Sequence, residues 1–172
     1  MGSGVSGLNK TLYGTSQPYA ASYAVVPEML RHDKRVSDIY DPDKGYFKNP
    51  TATDLKEAHK DGEIRFKDGK PVKDFAIYVL DNEGHLIIGY RKNPNNPDKR
   101  SPHPTLIGGK DPHVACAGIL HFKEGKIISV DQERGHFRPH EKSLRKVGKY
   151  LKDLCREHPE LFHEESPWRK GK

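Results

Sequence analysis

The chain has 172 residues, 33% hydrophobic and 31% charged, with 16 Gly and 13 Pro, which suits one domain with a lean core and many loops. No run approaches the roughly 18 apolar residues of a membrane span, and Met1 to Lys10 holds no apolar signal core, so an integral membrane protein, a signal-bearing precursor and a coiled coil are not expected. Lys and Arg number 30 against 24 Asp and Glu, a net charge of +6 that is compatible with a polyanionic partner such as nucleic acid or an anionic cofactor.

Residues 1–21 are rich in Gly, Ser, Thr and Tyr without periodicity and read as a flexible N-terminal arm. Ser22 to Val36 predicts a short helix, with Val25, Val26, Met29 and Leu30 on one face and Pro27 in its first turn. Asp38 to Pro50 is turn-like. Thr53 to Lys60 predicts a second short helix, capped by Thr53 or Asp54 and stopped by Gly62.

The pattern then changes to strands. Asp74 to Leu80 and His85 to Tyr90 flank the turn Asp81-Asn82-Glu83-Gly84 and predict a β-hairpin. Asn93 to Pro104 reads as a long polar loop. Val114 to Phe122 and Lys126 to Asp131 predict a second hairpin around Glu124-Gly125. A two-residue turn would set Phe122 opposite Ile127, Leu120 opposite Ser129 and Gly118 opposite Asp131. Ala117, Ile119, Ile128 and Val130 would then line the more apolar face. Leu144, Val147, Leu151, Leu154 and Cys155 repeat at helical spacing and predict an amphipathic helix beginning near Pro139 and ending near His158. The expected fold is α+β, with an antiparallel sheet from two hairpins, short N-terminal helices and a C-terminal amphipathic helix. Residues 22–160 would form the domain and residues 161–172 a tail.

Three segments concentrate residues able to carry chemistry: Pro102 to Lys110, Ala115 to Gly118, and Glu133 to Pro139. His103 is framed by two prolines, and His136 precedes the last helix. Two positioned imidazoles can serve as general base and general acid near neutral pH. Thr105, the paired Gly108 and Gly109, Lys110, Arg134 and Arg138 are the expected phosphate-binding groups, through backbone N–H groups and cations. This pattern points to a metal-independent ribonuclease with His103 and His136 as acid and base, in either order. An alternative takes Glu133 as the carboxylate that stabilises an oxocarbenium-like ribose in an NAD-consuming ADP-ribosyltransferase or glycohydrolase, with His103 and a strand tyrosine such as Tyr78 beside it. Cys116 paired with His136 as a nucleophile, and Asp131, Glu133 and His136 as metal ligands, are further arrangements. A non-catalytic binding module is the remaining reading.

The run SPHPTLIGGKDPHVACAGIL, then GKIISVDQERGHFRP and a terminal helix, resembles a small C-terminal domain of bacterial and phage polymorphic toxins, over about residues 2–160. A more distant likeness is to the central domain of the plant IQ-motif-containing calmodulin-binding family. There a His, a Gly-Gly, an Ala-Ala-Gly strand and a Ser-Gly-His-Tyr-x-Pro segment match His103, Gly108-Gly109, Ala117-Gly118 and Gly135-His136-Phe137-Arg138-Pro139. This chain has Arg134 in place of the Ser, Phe137 in place of the Tyr, and no IQ motif. The resemblance implies an effector acting in the cytoplasm of a target cell, delivered within a larger secreted or phage protein. It also implies a cognate immunity protein as partner, beside RNA or another anionic substrate and no membrane. No cofactor is expected, except NAD under the alternative.

Overall fold

The computed structural model describes residues 22–93, 96–133 and 135–170. The N-terminal arm and Arg134 therefore lie outside the described residues. The fold is α+β: one five-stranded antiparallel sheet covered on both faces.

Helix α1 spans Pro27–Asp33, shorter than the stretch Ser22 to Val36 expected. Proline favours an extended residue before it, and Val26 is extended (φ −63°, ψ 140°), so the helix begins at Pro27. Tyr23–Ala24 instead pairs with His113–Val114. The turn-like segment folds as a small ladder, Tyr40–Asp41 against Gly45–Tyr46.

The helix expected over Thr53 to Lys60 is corrected. Thr53–Asp54 is the edge strand β1, followed by a single 3₁₀ turn, Leu55–Glu57, and a short ladder at His59–Lys60. Edge pairing with the next hairpin takes the residues that would have opened a helix. Asp54 still caps, accepting the Lys56 amide at 2.9 Å.

Strands β2 (Phe75–Leu80) and β3 (Leu86–Gly89) form the first hairpin, and β4 (Cys116–Lys123) and β5 (Lys126–Val130) the second. The sheet order is β5-β4-β2-β3-β1, with β4 and β2 as the central pair that joins the hairpins. Phe122 faces Ile127 as expected, but a bulge at His121/Phe122 shifts the register, so Leu120 faces Val130 rather than Ser129. The apolar face is corrected too. Cys116, Leu120, Phe122 and Ile127 are buried, whereas Ile119, Ile128 and Val130 are only half-buried.

The proline-rich stretch expected as a loop forms a ladder, Lys92–Asn93 with Asn96–Arg100, then a 3₁₀ turn at His103–Leu106. The helix expected to begin near Pro139 is corrected at its start: a 3₁₀ turn, Glu141–Ser143, precedes helix α2 (Leu144–Glu157), which ends at His158 as its periodicity indicates and lays Val147, Leu151, Leu154 and Cys155 on one face of the sheet. The following segment is part of the same core: Leu161 and Phe162 are buried there, and Trp168 of α3 (Pro167–Lys170) packs edge-on against Phe162. The opposite face holds a second core, in which Ile77, Val79 and Ala117 meet Tyr46, Leu106 and Phe137. This second layer carries the candidate site. No helix among the described residues is long and apolar enough to cross a membrane.

Candidate functional site

Both framed histidines are buried in the layer over the second core. His136 sits where the chain leaves β5 for α2. Its carbonyl accepts the Val26 amide at 2.8 Å, and Phe137 beside it is fully buried. The His136 Nε2–H donates to Asp33 Oδ2 at 2.9 Å, and the Tyr46 hydroxyl donates to the same oxygen at 2.7 Å. Asp33, at the end of α1, is a buried carboxylate. Burial alone would raise its pKa, but the bonds from His136 and Tyr46 outweigh this and hold it below the ordinary carboxylate value. Burial, and then the bond to Asp33, push the Tyr46 phenol upward.

His103 opens the 3₁₀ turn after the proline-rich ladder. Its Nε2 lies 2.8 Å from the Gly118 carbonyl. A carbonyl only accepts, so Nε2 carries the hydrogen and any further proton must go to Nδ1. Burial pushes this second protonation down to about pH 4, against the opposing pull of the Gly118 carbonyl and Glu133. His103 is therefore neutral at physiological pH. In the expected acid–base pair it would therefore start as the base, with His136 as the acid.

Gly118 is required by space. A Cβ there would stand 1.9 Å from the Asp131 carbonyl oxygen and 2.8 Å from Tyr78 Cε2. A Gly118→Ala variant is expected to lose about 3 kcal/mol or more, the upper end of overpacking costs, because backbone rather than a side-chain tip must move. Urea unfolding with the denaturant slope compared between the two proteins checks this.

Glu133 lies closer to solvent, its side chain 30% exposed. Its backbone amide donates to the Ala117 carbonyl at 2.8 Å. One carboxylate oxygen accepts the Gly135 amide at 3.1 Å, and the other is 3.5 Å from the Arg91 guanidinium. Residues 91–113 and 132–139 thus meet through Arg91 and Glu133. Both residues act electrostatically on His103, as does His136. Two of the expected catalytic residues are buried imidazoles, and the third, Glu133, is a partly exposed carboxylate whose charge reaches His103.

The expected phosphate-binding groups do not converge in the same way. The Gly108 amide donates to Pro104 and the Gly109 amide to Tyr46, at 2.8 and 2.9 Å. Both glycines have positive φ and serve the close approach of Gly45, where a Cβ would stand 2.3 Å from the Gly109 carbonyl carbon. Their amides are therefore used in the fold, which corrects the phosphate cradle. Thr105 is buried, and its hydroxyl donates to the Pro102 carbonyl at 2.6 Å. Arg138 donates to Glu28 of α1 at 3.0 Å. Lys110 is exposed and acts on Asp41, a carboxylate held low first by the Asp43 and Lys44 amides. Arg134 lies outside the described residues.

Cys116 is buried, and burial pushes its thiol above the ordinary value, so it is no thiolate nucleophile. Its sulfur lies 3.7 Å from both the Tyr78 hydroxyl and Gln132 Nε2. Tyr78 is also fully buried, with its hydroxyl donating to the Asp131 carbonyl at 2.7 Å. It offers no face to a ligand, which corrects its place beside Glu133. Asp131 accepts the Ile119 amide at 3.0 Å and stands 2.9 Å from His121, away from a common centre with His136.

Asp33, Tyr46 and Arg91 are neighbours of these residues that the sequence did not single out. Asp33 carries no local signal, since its burial depends on a histidine 103 positions later. Comparison with known proteins returns no matching family model, no matching curated protein and no matching solved structure.

Proposed function

We propose that the chain cleaves the bond between a sugar and a cationic aromatic base, with the nicotinamide–ribose bond of NAD as its substrate class. One observation carries this reading: Glu133 is a partly exposed carboxylate, oriented by the Gly135 amide and Arg91, beside an imidazole that burial keeps unprotonated. Phosphodiester cleavage by an acid–base pair needs a proton for the departing oxygen. Nicotinamide needs none. When the C1′–N bond breaks, its electron pair neutralises the pyridinium nitrogen, and the positive charge moves to C1′ and the ring oxygen of the ribose. A carboxylate facing that charge lowers the barrier. Water, or a nucleophile on an acceptor, then bonds to C1′ and releases its proton to Glu133 or solvent. NAD is the substrate here, and the scheme calls on no other cofactor.

A second reading, the metal-independent ribonuclease, is favoured by the Asp33–His136 pair, because a carboxylate-oriented imidazole is a good general acid or base. The basic charge suits it as well. The resemblance to polymorphic toxin domains supplies the setting for either reading: an effector in the cytoplasm of a target cell, countered by an immunity protein. Induction of the chain in bacteria, followed by assay of NAD and of total RNA, separates the readings. The expected result is a falling NAD pool with intact RNA. Discrete RNA cleavage with a steady NAD pool would replace the first reading by the second. Neither change would favour a binding module.

A further inference from the structure

Phe75 begins β2 and is one of two large hydrophobic side chains with substantial exposure among the described residues, at 43%. By the two-residue period of the strand it shares a face with Ile77 and Val79, the face that carries the site. The Arg91 guanidinium carbon lies 5.9 Å from the Phe75 ring centroid. The same guanidinium is 3.5 Å from Glu133. A planar, delocalised cation therefore stands against an aromatic face and a carboxylate at once.

We propose that this place is a seat for planar aromatic cations, and that Arg91 is the resident cation which such a ligand displaces. A guanidinium and an N-substituted pyridinium share the relevant properties: a flat shape, one spread positive charge and weak hydration. The face of a phenylalanine ring attracts either of them, and a nearby carboxylate adds to the attraction. Arg91 is 41% exposed on its side chain, so it can swing into solvent when a ligand takes its place. Phe75 then selects the substrate by charge as well as shape, favouring the cationic base over the neutral one that leaves. The seat gives nicotinamide a reason to depart after cleavage, since the product has lost the charge that held it. This inference rests on the glycosidic reading for its substrate but not for its binding chemistry.

The test is titration of the full chain with 1-methylnicotinamide, a pyridinium cation with no sugar to cleave, followed by NMR. Neutral nicotinamide is the control. The expected result is binding of the cation about tenfold tighter than the neutral ring, the scale of a partly desolvated cation–π contact. Phe75→Ala should weaken cation binding about tenfold, Phe75→Trp should retain it, and Arg91→Ala should tighten it. Equal affinity for cation and neutral ring, or an unchanged Phe75→Ala variant, overturns the seat. Weaker binding by a folded Arg91→Ala variant overturns the displacement. If NAD stays intact while 1-methylnicotinamide binds in this pattern, the seat stands and the glycosidic reading falls. If nicotinamide is released but Phe75→Ala changes neither Kd nor KM, the reverse holds.

Discussion

Glu133→Gln is expected to lower the turnover of nicotinamide release by about 10²–10³-fold, the scale seen when one electrostatic group is removed from a transition state. The substitution is nearly isosteric. Its amide oxygen can still accept the Gly135 amide, so the turn keeps its bond. What disappears is the negative charge facing the ribose cation. The partly exposed pair with Arg91 also disappears, but such pairs contribute only about 0–1 kcal/mol to stability. Loss of turnover should therefore come without loss of fold. Thermal unfolding and steady-state kinetics on the same sample separate the two effects. A folded Glu133→Gln variant with wild-type turnover would remove Glu133 from the chemistry.

Acid is expected to destabilise the protein through His103, beginning near pH 6.5. The folded-state pKa is lowered to about 4 from 6.5, first by burial. Lowering means that the unfolded chain binds the proton more tightly than the folded one. Stability from this residue is thus complete above pH 6.5 and is lost as pH falls toward 4. The slope is about 1.4 kcal/mol per pH unit, and the whole loss is on the order of 3 kcal/mol. Asp33 adds a later phase. Its pKa is also lowered, so its contribution is present above the ordinary carboxylate value of 3.8 and fades only below it. Urea unfolding at several pH values, for wild type and His103→Gln, isolates the first phase. Gln can reach the Gly118 carbonyl with an N–H but cannot titrate in this range. The stability difference between the two proteins should shrink steadily below pH 6.5. A difference independent of pH would show that His103 is not held neutral by burial.

Much of the fold was legible because strong periodicities survive in it. Leu144, Val147, Leu151, Leu154 and Cys155 marked α2, and the two strand pairs around Asp81–Gly84 and Glu124–Gly125 marked the hairpins. What failed was decided at longer range. Thr53–Asp54 joins an edge strand because β3 offers it partners, and nothing local announces that competition. The bulge at His121 and Phe122 leaves no trace in an alternating pattern, yet it moved Leu120 from Ser129 to Val130.

The site was legible in part for the same reason. Prolines around His103 and the Gly-His-Phe-Arg-Pro joint drew attention to two histidines that are both buried and act on each other electrostatically. Their surroundings were not legible. Whether His103 is protonated depends on burial and on a carbonyl 15 residues away. The glycine pair looked like an anion cradle, but Tyr46 and Pro104 take its amides. Lys110 and Arg138 looked like phosphate ligands, but Arg138 pairs with Glu28 and Lys110 acts on Asp41. Residue type identified the place, and only tertiary structure set the charge state that distinguishes one chemistry from another.

The most direct measurement is nicotinamide release from NAD by the purified chain between pH 6 and pH 9. If no group must be protonated to expel the base, release should occur and should not decline as pH rises through this range. No release at any pH, or a rate that falls along an alkaline limb as an acid is titrated away, would contradict the account.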